Sequence, residues 1–209
     1  MCPTSRHAHI AIVRVPTNRS RLDAMNIRKG SAWRAPQVRS FLHDNLLPVR
    51  IGCIGEAGTP LVVSVWYRFD GERLWCALHE SAALLRYLTA APACGFEVAG
   101  DGPPYFGVRG QAHVVVDRSR GGQVLELLLE RYRIPADSKL ATWLVSRSAD
   151  EYAIALEPIW ITAWDYRERM DDLERRKAER ALLLASRHRA AQMCIESRRD
   201  PLTLGRIPV

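Results

Sequence analysis

Along residues 61–69 apolar and polar positions alternate: Leu61, Val63, Val65, Tyr67 and Phe69 fall on one side, Val62, Ser64, Trp66 and Arg68 on the other. That two-residue period is the signature of a strand with one buried face. Asp70-Gly71 follows, a strong hairpin signal, and residues 73–79 return antiparallel. The same reading places strands at 50–56, 93–99, 107–117, 152–156 and 159–165, with Pro158 marking a bend or an edge between the last two. Helical spacing takes over at 36–46, where Val38, Phe41, Leu42 and Leu46 form a stripe behind Pro36 and Pro48 ends the run. A second helix spans 81–91, with Ser81 as N-cap, Leu84, Leu85 and Leu88 apolar, and Pro92 as the stop. Further helices cover 123–132 and 139–147. Seven short strands with tight turns argue for a closed or nearly closed antiparallel barrel, because closure removes exposed edges.

The ends of the chain break this pattern. Residues 1–35 show no sustained periodicity and are expected to form a flexible leader, with Met25 a candidate natural start. Residues 36–166 form the barrel domain. Residues 167–209 carry a charged helix and tail: Glu168 and Asp172 precede basic residues at helical spacing, and Leu173, Ala181, Leu182 and Leu184 give only a patchy apolar side. A solvated, ion-paired helix is the simpler reading, a helix on a partner subunit the alternative.

Composition changes this picture little. An apolar share of 47% and a charged share of 25% suit one globular domain. No apolar run approaches the ~20 residues of a membrane helix, and residues 10–13 are too short for a signal-peptide core, so a cytoplasmic location is the default. The net charge of +7 raises a nucleic-acid reading, but its distribution argues against one. Residues 1–50 hold nine Arg/Lys against two Asp/Glu and residues 166–209 eleven against seven, while residues 51–165 are acidic, ten against fourteen. A nucleic-acid-binding face would concentrate the excess on the folded domain. The five cysteines include no CxxC pair, so neither a zinc site nor a disulfide framework is indicated, and Cys53, Cys76 and Cys94 sit in strand patterns as small hydrophobes. No GxGxxG follows a strand, and no Ser/His/Asp, paired-carboxylate or metal-ligand constellation stands out.

Four stretches carry a resemblance. They are residues 50–60 (RIGCIGEAGTP), then 63–67 (VSVWY) with Asp70-Gly71 and 74–77 (LWCA), then 95–98 (GFEV) with 103–112 (PPYFGVRGQA), and finally Trp164-Asp165-Tyr166 with Arg169-Met170. In this order and spacing the chain resembles the flavin-binding split barrels related to pyridoxamine 5′-phosphate oxidase, over residues 36–170. The resemblance implies a split β-barrel, mainly β with flanking helices, antiparallel and of Greek-key type. It also implies a soluble homodimer with a cofactor in each of two clefts between subunits. The cofactor would be FMN or a deazaflavin, in an oxidoreductase that moves hydride to or from a small molecule; a non-catalytic flavin- or haem-binding barrel is the alternative. Carried over by position, Ser64, Val65 and Trp66 line the flavin ring, Trp66 being equally a barrel-wall aromatic. His79, Ser81 and Arg86 lie toward the phosphate, where a helix N-terminus and a guanidinium suit an anion. Arg109 and Gln111 add polar contacts and share a strand face with His113, a row that must face solvent or line the cleft. The loop 103–105 borders the substrate side. One position departs from the family: the usual phosphate lysine falls on Leu84, leaving Arg86, Arg50 or Arg109 to supply the charge.

Overall fold

The computed structural model describes residues 25–197. Helix α1 (Ala35–Asp44) precedes strands β1 (Val49–Ile54), β2 (Pro60–Val65), β3 (Arg68–Phe69) and β4 (Leu74–His79). Helix α2 (Ala83–Ala90) leads into β5 (Ala93–Ala99) and β6 (Phe106–Asp117). Two helices, α3 (Gly121–Arg131) and α4 (Lys139–Val145), separate β6 from β7 (Glu151–Asp165), and α5 (Arg167–Ser197) follows directly.

The strands form one antiparallel sheet in the order β2-β1-β5-β6-β7-β4-β3. Strands β2 and β3 occupy opposite edges, yet only Trp66 and Tyr67 lie between them. Laid flat, the two edges would stand roughly 29 Å apart at ~4.8 Å per strand. Three steps of chain reach about 11 Å. The sheet must therefore curl until its edges nearly meet, which makes it a split β-barrel, mainly β with flanking helices.

The alternation over 61–69 holds for burial but not for pairing. Tyr67 and Phe69 are buried, and Leu61, Val63 and Val65 pack on the core from the same side. The expected single strand is nevertheless two, because the chain changes sheet edge at Trp66-Tyr67, where the Tyr67 N–H donates to the Tyr132 hydroxyl (3.2 Å). The converse occurs at the C-terminal end. The two strands expected around Pro158 are one, β7, and the pairing with β6 shifts between Gln111 and Ala112, opposite Pro158 and Trp160. A bulge thus absorbs the proline without ending the strand. One strand divided and two fused leave the expected total of seven.

Inside the barrel, Val38, Phe41 and Leu42 of α1 meet Ile51, Tyr67, Phe96, Ile154, Leu156 and Ile161. Helix α2 closes one end with Leu84, Leu85 and Leu88. Its N-cap is Ala82, which makes no side-chain cap, instead of Ser81. The Ser81 hydroxyl is held by His79 Nδ1 (2.8 Å), so it does not reach the helix. Residues 25–34, grouped with the leader by sequence, run along the free half of β7: Ile27 bridges Ile161, Ala32 N–H bonds Ala163 O, and Trp33 is buried against Phe41 and Phe106. The covered edge explains why an aperiodic segment docks. The expectations for residues 1–24 and 198–209 fall outside the described residues.

Outside the barrel the two halves differ. Helix α3 lays Val124 and Leu128 on Trp75, Ala153 and Ala155, covering β4 and the first half of β7. Across β2, β5 and β6 no such helix packs among the described residues. No described helix is long and apolar enough to cross a membrane.

Candidate functional site

The uncovered half of the barrel is ordered in cross-strand rows. One runs Val62, Gly52, Gly95, Gln111, Trp160 across β2, β1, β5, β6 and β7; the next runs Ser64, Arg50, Glu97, Arg109, Thr162. In the first row two adjacent glycines remove the side chains from the middle of the face. A groove of about 390 Å³ results, lined by Gly52, Ile54, Pro60, Val62, Gly95, Gln111 and Ile159 among others.

Neither glycine is demanded by the protein's own packing. A Cβ on Gly52 would meet nothing closer than 3.9 Å, and one on Gly95 likewise. Glycine within a strand costs roughly 0.5–1 kcal/mol relative to alanine. A glycine inside a strand often marks a bulge, a bend at a barrel corner or a place where a ligand or another backbone comes close, and no bulge falls at Gly52 or Gly95 in their register with neighbouring strands. The contrast lies on β6, where a Cβ on Gly110 would sit 2.3 Å from Trp160 O and 2.7 Å from the Phe96 ring. There the glycine serves the core.

The polar row beside the groove holds one cation paired within the protein and one exposed cation that is not. Arg50 donates to Ala99 O (2.9 Å), lies 3.6 Å from Glu97 and pairs with Asp101. The Arg109 side chain has neither hydrogen bond nor ion pair among the described residues; its guanidinium stands 5.4 Å from the centre of the Trp164 ring. Gln111 accepts from Trp160 Nε1 (3.0 Å). At the opposite end of the groove the chain turns after Ile54, and Arg86 reaches this turn to pair with Glu56 (3.1 Å). Both partners are largely exposed, so the pair is weak and exchangeable.

Ser64, Arg109 and Gln111 are therefore brought to one face, with Arg86 at its far end and His113 further along β6. Val65 points inward onto the core and can offer only its backbone to that face. Trp66 stacks on Tyr132 (4.9 Å, 17°), on the α3 side. His79 and Ser81 bond each other, and His79 Nε2 stands 4.0 Å from Asp150, so their partners differ from those of Arg86. Leu84 is buried in the core; a lysine there would not meet an anion outside the barrel. Gly52 and Gly95 lie within the stretches that carry the resemblance, but they are not among the site residues it implies. Their mid-strand position in alternating patterns was the available signal.

Burial governs the cysteines of the strands and one glutamate. Burial pushes the Cys53 thiol up, the Cys94 thiol to about 12, and the Cys76 thiol higher still, which suits hydrophobes in a core. Glu151, near His79, is the buried charged residue of the described chain. Burial raises its carboxyl above the usual range, Asp150 adds to this, and His79 and Arg147 oppose it. A raised carboxyl pKa contributes stability that is complete below the ordinary glutamate range and lost as pH rises through the folded value. Glu151→Gln should therefore raise the melting temperature at pH 8 relative to the parent and leave it unchanged near pH 4. Equal effects at both values would contradict the assignment.

No protein-family model matches the chain, and no curated protein matches it. Solved structures do. A conserved hypothetical protein from Mycobacterium tuberculosis superimposes with a TM-score of 0.54 at 18% identity, over 68% of this chain and 91% of that one. An F420 reductase superimposes at 0.49 with 23% identity, over 65% of this chain and 98% of that one. The heme storage protein HutZ from Vibrio cholerae does so at 0.48 with 15% identity, over 62% and 92%. At 18% identity the likeness to the Mycobacterium tuberculosis protein is one of fold alone.

Proposed function

We propose that this protein is a flavin- or deazaflavin-dependent oxidoreductase that holds FMN, or a deazaflavin, along β2 on the uncovered face. The carrying observation is the pair Gly52 and Gly95, which the protein's own packing leaves without a reason. Edge strand β2 adds support. Its alternate N–H and C=O groups have no sheet partner, and six residues of strand span roughly 20 Å, enough to lie beside a ring and its phosphate chain. Arg86 is the exposed cation at one end of the groove, Gln111 lies in the row of the two glycines, and Ser64 and Arg109 are polar groups of the row beyond them. When bound, the cofactor would supply hydride transfer. The chain would position it, exclude water and compensate its charge; no side chain need exchange a proton. A second copy of the chain, laid on the same uncovered face, would close the cleft and bury the exposed Val62, Ile54 and Ile159.

The test is uptake of FMN and of a deazaflavin by the purified full chain, followed by fluorescence. Gly95→Val should abolish uptake without lowering the melting temperature, since a β-branched residue suits a strand. Arg86→Ala should weaken uptake of the phosphorylated cofactor more than that of riboflavin. A chain that binds neither cofactor, or a Gly95→Val variant that binds as well as the parent, would remove the support for this function.

A further inference from the structure

Beside the groove, on the same face, lies a second depression of about 300 Å³, walled by Gly30, Arg109, Thr162, Trp164, Asp165 and Tyr166. The strands build it directly. Arg109 is paired with Thr162 across β6 and β7, and Gly107 with Trp164. A Cβ on Gly107 would come within 3.0 Å of the Trp164 indole and 2.7 Å of the Ala99 methyl, so the glycine lets the indole lie over the strand. The wall residue Tyr166 is tied to the preceding loop, its N–H donating to Tyr105 O (2.9 Å).

The hydrogen-bonding inventory of these walls is lopsided. Asp165, the one carboxylate, is taken: Trp33 Nε1 donates to it at 2.9 Å and Arg167 grips both oxygens. Those donors hold its carboxyl far below the usual range. The Arg109 guanidinium, the Thr162 hydroxyl, the Trp164 indole N–H and the Tyr166 hydroxyl have no hydrogen-bond partner among the described residues. The guanidinium and the indole N–H can only donate, while the two hydroxyls can donate or accept as a ligand requires, so the pocket's fixed polarity suits a ligand with anionic oxygen. A guanidinium meets a carboxylate through two parallel bonds, and the Trp164 indole, with Arg109 5.4 Å from its ring centre, gives the depression an aromatic wall against which the edge of a planar ring can pack. The volume is at the lower end of small-molecule sites, enough for about one ring.

We propose that this pocket binds the carboxylate of a small planar acid and, on the reading that the cofactor lies in the adjoining groove, is the subsite for the oxidoreductase's substrate. Arg109 stands between the two depressions, so a ring held against Trp164 lies next to the groove.

The experiment is titration of benzoate, and of its neutral isostere benzamide, into the cofactor-free full chain, observed by ligand NMR. Benzoate should bind at least tenfold more tightly than benzamide. Arg109→Gln and Trp164→Leu should each weaken benzoate at least tenfold, and Thr162→Val should weaken it less. Arg109→Gln should keep the parent melting temperature, because its side chain has no hydrogen-bonded or ion-paired partner to lose. Equal affinity for the two compounds, or benzoate binding indifferent to Arg109→Gln, would overturn the proposal. FMN uptake measured on the same preparations separates it from the cofactor reading. Benzoate binding in a chain that takes up no flavin supports the pocket and removes the cofactor; flavin uptake without benzoate discrimination overturns the pocket alone.

Discussion

Gly121→Ala should lower stability by about 3 kcal/mol or more, a fall of roughly 6–12 °C in melting temperature for a chain of this size. Gly121 opens α3, and an added Cβ would stand 1.8 Å from Glu151 O and 2.3 Å from Glu151 C. Both are backbone atoms of β7, held by pairing with β4, so neither can yield as a flexible side chain would. The helix must lift, and with it Val124 and Leu128 leave Trp75, Ala153 and Ala155. The neighbouring position gives the control. A Cβ on Gly122 would approach nothing closer than 3.4 Å, so Gly122→Ala should be neutral or stabilise by up to ~1 kcal/mol through helix propensity. Thermal unfolding followed by circular dichroism decides the matter; equal melting temperatures for the two variants would refute the close approach.

Arg131→Met should cost about 2–4 kcal/mol. A helix ends with carbonyls that have no partner of their own, and for α1 Arg131 supplies one from another element. Its guanidinium donates to His43 O (2.7 Å), Leu42 O (3.1 Å) and Asn45 O. It also lies 5.2 Å from the centre of the Tyr67 ring. The Tyr67 hydroxyl donates to the same Leu42 O (2.9 Å), so Arg131 and Tyr67 together fasten the plug of the barrel. Tyr67→Phe removes one neutral bond and should cost nearer 1 kcal/mol. Urea unfolding with an unchanged slope would register both losses. A methionine variant as stable as the parent would mean that water satisfies these carbonyls equally well.

The barrel was legible because a half-buried antiparallel strand writes its two faces into alternate residues. β5 appears at the expected residues 93–99, and Leu84, Leu85 and Leu88 bury as their spacing implies. Partner choice is not written that way. Nothing in the alternation through Trp66 and Tyr67 signals that the strand leaves one edge and joins the other, because burial continues while the hydrogen-bonding partner changes. Pro158 misled for the opposite reason: proline forbids one ladder bond, and a bulge supplies the exception.

The site was legible only in part. Arg109, Gln111 and Ser64 share a face because the register aligns β2, β1, β5 and β6, and register follows from long-range pairing. His79 and Arg86 lie close in sequence but take different partners, Asp150 on one side and Glu56 on the other. Leu84 looked like a missing cation when counted along the chain; its side chain belongs to the core. The donor-rich pocket required the docking of residues 25–34 against β7, which no periodicity announces.

The crossing at Trp66-Tyr67 has a mechanical consequence. Elsewhere neighbouring strands are joined by ladders, whose bonds must break before the strands can part. At the seam between β2 and β3 no ladder forms; the chain itself crosses, and β2 is held by its ladder to β1 and by Leu61, Val63 and Val65 on the core. Among neighbouring strands of the barrel, this is the place where side-chain volume, not ladder spacing, sets the circumference.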